Sequence, residues 1–134
     1  LLINAREAID GTGRIDLIAS QADFRAGRAR HYGVAAGAYA VLSVIDTGCG
    51  MDARTRARAF EPGFTTRPGQ ADGTGLTLAE AIVHEFGGFV EVISRPGKGS
   101  RVDLYLPLLA SVGGNGDRAD PSATTTPVHE RIKP

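Results

Sequence analysis

The order of apolar and polar positions changes period along the first part of the chain. Residues 1–9 carry apolar side chains at helical spacing, and the turn-forming residues 10–13 follow them. Residues 14–20 alternate between apolar and polar side chains, which predicts a half-buried strand. A polar connection, 21–37, leads to residues 38–47, which are apolar on both faces and are typical of a central strand.

The second half of the chain predicts a loop, a longer helix and a hairpin. Residues 52–60 predict a short helix, and the stretch 61–72, with its prolines and glycines, predicts a mobile loop. Residues 74–86 have the spacing of an amphipathic helix. Its expected apolar side comprises Leu76, Ala79, Ile82, Val83 and Phe86. Residues 89–95 and 101–106 predict two strands of a hairpin joined by a glycine-rich turn.

These elements predict a two-layer α/β sandwich of the α+β type, in which helices cover one face of a mixed, largely antiparallel sheet. Residues 1–109 are expected to form one domain. Residues 110–134 are rich in Gly, Asp, Ser, Thr and Pro and bury too little apolar surface to order themselves. This stretch is therefore expected to be a flexible tail or a linker.

Composition narrows the range of functions. The 134 residues have a formal net charge of zero, so no global basic field attracts nucleic acid or an anionic membrane. The sequence has no run of about 18 apolar residues that would predict a membrane span. The single cysteine, Cys49, excludes an internal disulfide framework and favours a reducing, cytoplasmic compartment.

A glycine turn, residues 46–51 (DTGCGM), follows the predicted central strand directly. Gly48 and Gly50 permit a close approach of the backbone to a flat ligand, and the Asp46 carboxylate can accept a hydrogen bond from an exocyclic amine. An ordinary strand-to-helix turn is the alternative. The dinucleotide-binding pattern Gly48-x-Gly50-x-x-Ala53 requires a further strand with an acidic residue about 20 residues on, and the sequence does not supply it.

A second glycine turn, formed by Gly73, Thr74 and Gly75, opens the predicted long helix. Free amide N–H groups and the positive end of the helix dipole make such a helix start an anion site. Thr74 also suits a helix cap, and the two roles are compatible. Side chains of the preceding loop that suit phosphate oxygens are Thr65, Thr66 and Arg67.

The remaining polar residues differ in how strongly they indicate a ligand or metal site. Asn4 lies between apolar neighbours on the first helix, where its carbonyl oxygen suits Mg²⁺, and a buried hydrogen bond is the alternative. Residues 97–100 (GKGS) fail as a Walker motif and are expected to form the hairpin turn. The three histidines, His31, His84 and His129, are scattered and predict neither a metal site nor a nucleophilic triad.

The order of these motifs is more specific than any one of them. LLINAREAI, DTGCGM, FEPGFTTR, GTGL and GKGS followed by RVDLYLP resemble the catalytic and ATP-binding domain of sensor histidine kinases. That domain belongs to the GHKL superfamily, with type II topoisomerases, mismatch-repair ATPases and a heat-shock chaperone. The resemblance covers residues 1–108. It also implies that the domain's amino-terminal strand and the start of its first helix precede Leu1, so the chain is expected to be a fragment.

The resemblance implies a Bergerat-type site whose ligands are ATP and Mg²⁺. Asn4 would be the metal ligand of the N box, Asp46 the acceptor for the adenine amine, and residues 61–74 the ATP lid. Ser100 stands where the family usually has Thr. The residues that the resemblance assigns to the nucleotide are Asp46, Gly48, Gly50, Met51, Phe60, Thr65, Thr66, Arg67, Gly73, Thr74, Gly75, Leu76 and Ser100.

The implied function is that of a protein-histidine kinase within a two-component system. The γ-phosphate of ATP would pass to a histidine on a separate helical dimerisation domain, and a response-regulator receiver domain would be a further partner. No catalytic residue is assigned in this chain, because the acceptor histidine is expected elsewhere. The fragment alone is therefore expected to bind nucleotide without autophosphorylation, in the cytoplasm, whether or not the parent protein has a membrane anchor.

Two alternatives stay open. One is a GHKL-type ATPase, whose water-activating Glu would lie one helical turn before Asn4 and so outside this sequence. The other is a catalytically impaired module for nucleotide sensing or protein interaction. Two departures from the family suggest it. Gly63 stands where the family has Phe, and Thr77 stands where the family's glycine would leave the phosphates free of a side chain.

Overall fold

The computed structural model describes residues 1–66, 73–108 and 128–132. Its helices are α1 (Leu2–Ala8), α2 (Ala26–Tyr32), α3 (Ala53–Arg58) and α4 (Gly75–Glu85). Its strands are β1 (Ile15–Phe24), β2 (Gly37–Asp46), β3 (Phe89–Ser94), β4 (Ser100–Pro107) and β5 (Val128–Ile132). In these ranges no helix is both long and apolar enough to cross a membrane.

The five strands form one sheet in the order β3, β4, β2, β1, β5. Every pairing between the described strands is antiparallel, so this part of the sheet is less mixed than the sequence predicts. The central position expected for β2 and the α+β fold are confirmed. Asp46, the last residue of β2, lies opposite Ile15 on β1 and Ser100 on β4. This register brings the start of β4 beside the glycine turn that follows β2.

Strand alternation divides the side chains of the sheet between two faces. Val44 and Asp46 share one face with their β4 partners, Val102 and Ser100. These four side chains and residues of α1 and α4 line one cavity, so both helices lie over this face. The intervening residues of β2 and β4 point to the opposite face, as the alternation requires.

A cluster of aromatic and small side chains forms the core on the opposite face. Its buried members are Phe24, Ala29, Tyr39, Val41, Phe89 and Tyr105. The Phe24 ring is 1% exposed and meets four other rings edge-on at centroid distances of 5.1–5.7 Å. Phe89 stacks on Tyr105 at 4.3 Å. Such aromatic pairs stabilise a fold by about 0.5–1.5 kcal/mol each beyond the apolar area that they bury.

The prediction that 21–37 is a polar connection is wrong, because helix α2 and the last residues of β1 lie within this range. Within α2, Ala29 and Tyr32 are the residues that pack in the aromatic cluster. Because they span a single helical turn, the segment has no sustained apolar period from which a helix could be predicted. Helix α2 therefore covers the second face, in addition to the expected cover of the first face by α1 and α4.

The apolar side predicted for α4 is wrong for two of its residues. Val83 is the buried residue of the helix and packs against Gly88, where a Cβ would come within 2.8 Å of Val83 Cγ1. Ile82 and Phe86 are 47% and 66% exposed, and Leu78 is 59% exposed. The helix rests on the sheet along one narrow line, and it leaves an apolar stripe facing outward.

Strand β5 was not predicted and lies inside the stretch 110–134. It pairs with β1 from Ile15 opposite Ile132 to Ala19 opposite Val128. It thereby covers the edge of β1 that faces away from β2. The division into a domain ending at 109 and a tail or linker stays a prediction.

Candidate functional site

A cavity of about 480 Å³ lies between α1, α3, the start of α4 and the ends of β2 and β4. Small-molecule sites have volumes of about 300–1,000 Å³. The predicted site residues that line it are Asn4, Asp46, Gly50, Met51, Thr65, Thr66, Gly73, Gly75, Leu76 and Ser100. Gly48, Phe60 and Thr74 are not among its lining residues, and Arg67 lies outside the described residues. The fold thus brings together motifs from both ends of the domain.

The Asp46 carboxylate lines this cavity and is held by two backbone amides. Asp46 is 6% exposed, and its Oδ1 accepts hydrogen bonds from the backbone amides of Gly48 at 2.8 Å and Ser100 at 3.2 Å. Both bonds go to the same oxygen. No described residue donates a hydrogen bond to Oδ2, so that oxygen keeps its acceptor capacity toward the cavity.

The glycine turn after β2 is held between α1 and the β3–β4 hairpin. The backbone of Gly48 packs directly against the Ala8 carbonyl, and the Cys49 amide donates to that carbonyl at 2.8 Å. The Gly97 amide donates to the Cys49 carbonyl at 2.7 Å. Gly48 therefore shapes the site through α1 without lining it. The Cys49 thiol is free and exposed.

Ser94 joins the two turns, and the sequence did not predict it as a site residue. Its hydroxyl accepts from the Met51 amide at 2.7 Å and donates to the Gly99 carbonyl at 3.0 Å. It also lies 3.0 Å from the Ser100 hydroxyl. The signal that could have identified Ser94 is the hairpin register, in which Ser94 and Ser100 are cross-strand partners.

Asn4 meets the start of α4 at another part of the cavity. A Cβ at Gly75 would come within 2.8 Å of Asn4 Oδ1 and 2.9 Å of Asn4 Nδ2. Glycine at position 75 therefore leaves room for the side-chain amide of Asn4 against the first turn of α4. This contact unites two motifs separated by most of the domain sequence.

The described ends of the loop 61–74 meet beside the cavity. A Cβ at Gly73, whose φ is +70°, would come within 2.6 Å of the Gly63 carbonyl carbon and the Phe64 carbonyl oxygen. The Phe64 ring lines the cavity and lies under the Arg58 guanidinium, whose carbon is 4.3 Å from the ring centroid. Arg58 also pairs with Glu61 at 2.7 Å. Residues 67–72 of the loop lie outside the described residues.

Thr77 and Thr74 differ from expectation. Thr77 Oγ1 donates to the Phe60 carbonyl at 3.4 Å, and Thr77 is not among the cavity-lining residues. The side chain turns toward the end of α3, and its proximity to the phosphates stays a prediction. Thr74 is the N-cap residue of α4, yet its side chain makes no capping hydrogen bond.

Helix α3 begins with a capped turn at the edge of the cavity. Asp52 Oδ1 accepts from the Thr55 amide at 2.7 Å, as is typical of an N-cap. This hydrogen bond, joined by one from the Thr55 hydroxyl, lowers the pKa of the Asp52 carboxyl below its ordinary value. Asp52 is thus an ionised carboxylate at the cavity, and it is fully exposed.

The family comparison agrees with this geometry. Residues 1–110 match the family of histidine kinase-, DNA gyrase B- and HSP90-like ATPases. The chain is 35% identical over 111 residues to the sensor kinase CckA of Brucella abortus (strain 2308), and 38% identical over 110 residues to the sensor histidine kinase ZraS of Escherichia coli (strain K12). Each match covers 81% of this chain, but only 12% of CckA and 20% of ZraS.

A solved structure supports the fold alone. The mycobacterial sensor histidine kinase MprB matches with a TM-score of 0.60 at 24% identity, over 79% of this chain and 64% of that one. The match of the family model to most of the sequence is the stronger finding. The chain therefore belongs to the histidine kinase-, DNA gyrase B- and HSP90-like ATPases, as an ATP-binding domain of the sensor histidine kinase type.

Proposed function

We propose that this domain holds ATP together with Mg²⁺ and donates the γ-phosphate to a histidine on a separate helical dimerisation domain. The observation that carries the proposal is the pairing of two unlike groups in one cavity. Asp46 offers a carboxylate oxygen that suits a purine amine, and Asn4 lies against the first turn of α4, which suits phosphates. Along α1, Asn4 lies about 6 Å, or one helical turn, before Ala8. Ala8 in turn contacts the glycine turn that follows Asp46.

The Asn4 carbonyl oxygen is the proposed protein ligand of Mg²⁺. Among the described residues no group of three or more His, Cys, Asp or Glu side chains could hold a metal ion by itself. Mg²⁺ commonly binds through one or two protein oxygens, several waters and substrate phosphates, and a single amide beside a phosphate site fits that ligand set. Asn4 would hold the ion, and the ion would supply positive charge that neutralises the phosphates.

Phosphoryl transfer at such a site depends on positioning and charge stabilisation. The amides at the start of α4, an 11-residue helix, would stabilise negative charge on the transferred group. No histidine is among the described residues that line the cavity. We therefore infer that the acceptor histidine comes from outside this domain, and that the chain alone binds nucleotide without phosphorylating itself.

The exposed apolar stripe of α4 supports docking of a helical partner. Leu78, Ile82 and Phe86 follow one another at the spacing of one helix face and are 47–66% exposed. Because α4 begins at the cavity, a helix packed on this stripe would bring its own side chains close to the phosphates. The acceptor domain is the proposed occupant, and a response-regulator receiver domain would take the phosphoryl group from it, in the cytoplasm.

The replacement Asp46→Asn tests the nucleotide site. The Asn carbonyl keeps the two bonds that Oδ1 accepts, while the amide puts a donor where Oδ2 was an acceptor. We expect ADP and ATP affinity to fall about tenfold or more with a nearly unchanged melting temperature. Titration calorimetry with Mg²⁺ measures this, with Asp23→Asn on the exposed part of β1 as the control. Unchanged affinity in Asp46→Asn would contradict the site.

One of the two residues that suggested a catalytically impaired module no longer supports that alternative. The Thr77 side chain bonds to the Phe60 carbonyl rather than entering the cavity. Gly63, which is exposed and stands where the family has Phe, remains the other reason for this alternative. The names of the relatives, a sensor kinase and a sensor histidine kinase, favour the kinase over the superfamily's ATPases.

A further inference from the structure

The Ser94 hydroxyl lies in a buried network that the ATP-binding motifs do not include. Ser94 is 4% exposed and is not among the cavity-lining residues, whereas its cross-strand partner Ser100 is. Three groups surround the Ser94 hydroxyl: the Met51 amide at 2.7 Å, the Gly99 carbonyl at 3.0 Å and the Ser100 hydroxyl at 3.0 Å. Ser94 therefore connects both turns of the site to a residue that faces the ligand.

The direction of each hydrogen bond follows from the number of protons and lone pairs that each group has. A serine hydroxyl has one proton to donate and two lone pairs to accept with. The Met51 amide can only donate and the Gly99 carbonyl can only accept, so Ser94 uses one lone pair on Met51 and its proton on Gly99. The remaining lone pair of Ser94 must accept from Ser100. The Ser100 proton is then directed away from the cavity.

The opposite arrangement is disfavoured by burial. If Ser94 donated to Ser100 instead, the Gly99 carbonyl would keep only the 3.5 Å bond from the Arg95 amide. A buried carbonyl that loses its partner costs about 1–3 kcal/mol. The network therefore selects one orientation of the Ser100 hydroxyl, in which its lone pairs are available to a ligand.

We propose that Ser94 is a positioning residue that fixes Ser100 as a hydrogen-bond acceptor and thereby makes the site prefer 6-amino purines over 6-oxo purines. This inference rests on the proposed nucleotide site. Asp46 Oδ2 and Ser100 Oγ form an edge of the cavity that only accepts hydrogen bonds. An exocyclic amine, or a water that donates to both Ser100 and a ring nitrogen, satisfies that edge. The carbonyl of a 6-oxo purine does not.

Replacement of Ser94 frees the Ser100 hydroxyl to rotate. In Ser94→Ala, Ser100 can donate to a purine carbonyl, so discrimination between ADP and inosine diphosphate should weaken about three- to tenfold. The readout is the ratio of the two dissociation constants, measured with Mg²⁺ by competition against a fluorescent ADP. A general loosening of the site changes both constants and leaves their ratio unchanged. Ser94→Cys replaces the hydroxyl by a larger thiol, which is a weaker donor and acceptor, and should give an intermediate ratio.

A double-mutant cycle shows whether Ser94 acts through Ser100. In the Ser100→Ala background, adding Ser94→Ala should change the ratio less than about twofold, because the oriented hydroxyl is already gone. Ser43→Ala is the matched control. Ser43 is a buried serine on β2, bonded to Arg101 at 3.3 Å, and it faces away from the cavity. This control should leave the ratio at the wild-type value.

The outcomes separate this inference from the proposed function. If the wild-type chain binds no ADP, the nucleotide site itself is wrong and the role of Ser94 fails with it. If ADP binds but folded Ser94→Ala and Ser94→Cys keep the wild-type ratio, only the role of Ser94 is overturned. The same conclusion follows if the effect of Ser94→Ala persists in full without the Ser100 hydroxyl.

Discussion

The two faces of the sheet show how one pair of strands can serve two purposes. On one face, Phe24, Tyr39 and Tyr105 pack through edge-on ring contacts that bury apolar area. On the other, Asp46 and Ser100 are held by hydrogen bonds with assigned donors and acceptors. Strands β2 and β4 contribute alternate residues to both faces. Stability should therefore depend mainly on the first face, and ligand selection on the second.

Truncation of the aromatic cluster should have the largest effect. Phe24→Ala removes a ring that is 1% exposed and contacts four others, which should lower the free energy of unfolding by about 3–5 kcal/mol. Urea denaturation measures the loss, and the same replacement at Phe86, which is 66% exposed, should cost far less. ADP affinity of the folded fraction should be unchanged. A large loss of affinity would show that the two faces are not independent.

A replacement that introduces a steric clash at the cavity face should lower both the stability of the fold and the affinity for ADP. Gly99 has a φ of +73° and packs its Cα against the Asp46 carbonyl, whereas Gly97, with a φ of +68°, has open space around it. Gly97→Ala should cost about 1–2 kcal/mol of backbone strain. Gly99→Ala should cost about 2–5 kcal/mol and also weaken ADP binding, because Asp46 must move. Equal effects of the two replacements would contradict the close approach.

Thr77 allows a smaller test at the boundary of the cavity. Thr77→Gly restores the family's residue, removes the bond to the Phe60 carbonyl and adds a flexible residue to α4. We expect a loss of about 0.5–1 kcal/mol in the free energy of unfolding. ADP affinity should stay within about twofold, and Thr77→Ser, which keeps the hydroxyl, should match the wild type in both. Clearly tighter ADP binding by Thr77→Gly would mean that the threonine does obstruct the phosphates.

The smallest expected effect concerns the ionised cap of α3. The folded-state pKa of Asp52 is lowered by its bond from the Thr55 amide, so its charge stabilises the fold above the ordinary aspartate value of 3.8. That contribution is lost as the pH falls through the folded-state pKa. Asp52→Asn keeps a capping side chain without the charge, so its melting temperature should approach that of the wild type at low pH. A difference that does not vary with pH would argue against this linkage.

The sequence predicted elements with a sustained period and motifs with a fixed order. The central strand β2 was predicted because it is apolar on both faces over several residues, and the β3–β4 hairpin because its second strand alternates between apolar and polar residues. Helix α2 was missed because its inward contacts span one turn. Ser94 was missed because its importance comes from the register of a hairpin rather than from a motif. The direction of Thr77 depends on how α4 meets the segment that follows α3, which local spacing does not determine.

The bond between the Ser100 amide and Asp46 joins residues 54 positions apart. Closing a chain segment of that length costs conformational entropy early in folding, and only the contacts of the assembled sheet offset that cost. The ligand pocket should therefore be incomplete in the folding transition state. Bound nucleotide should then prolong the lifetime of the native domain by slowing its unfolding, while the rate at which the chain folds stays nearly constant.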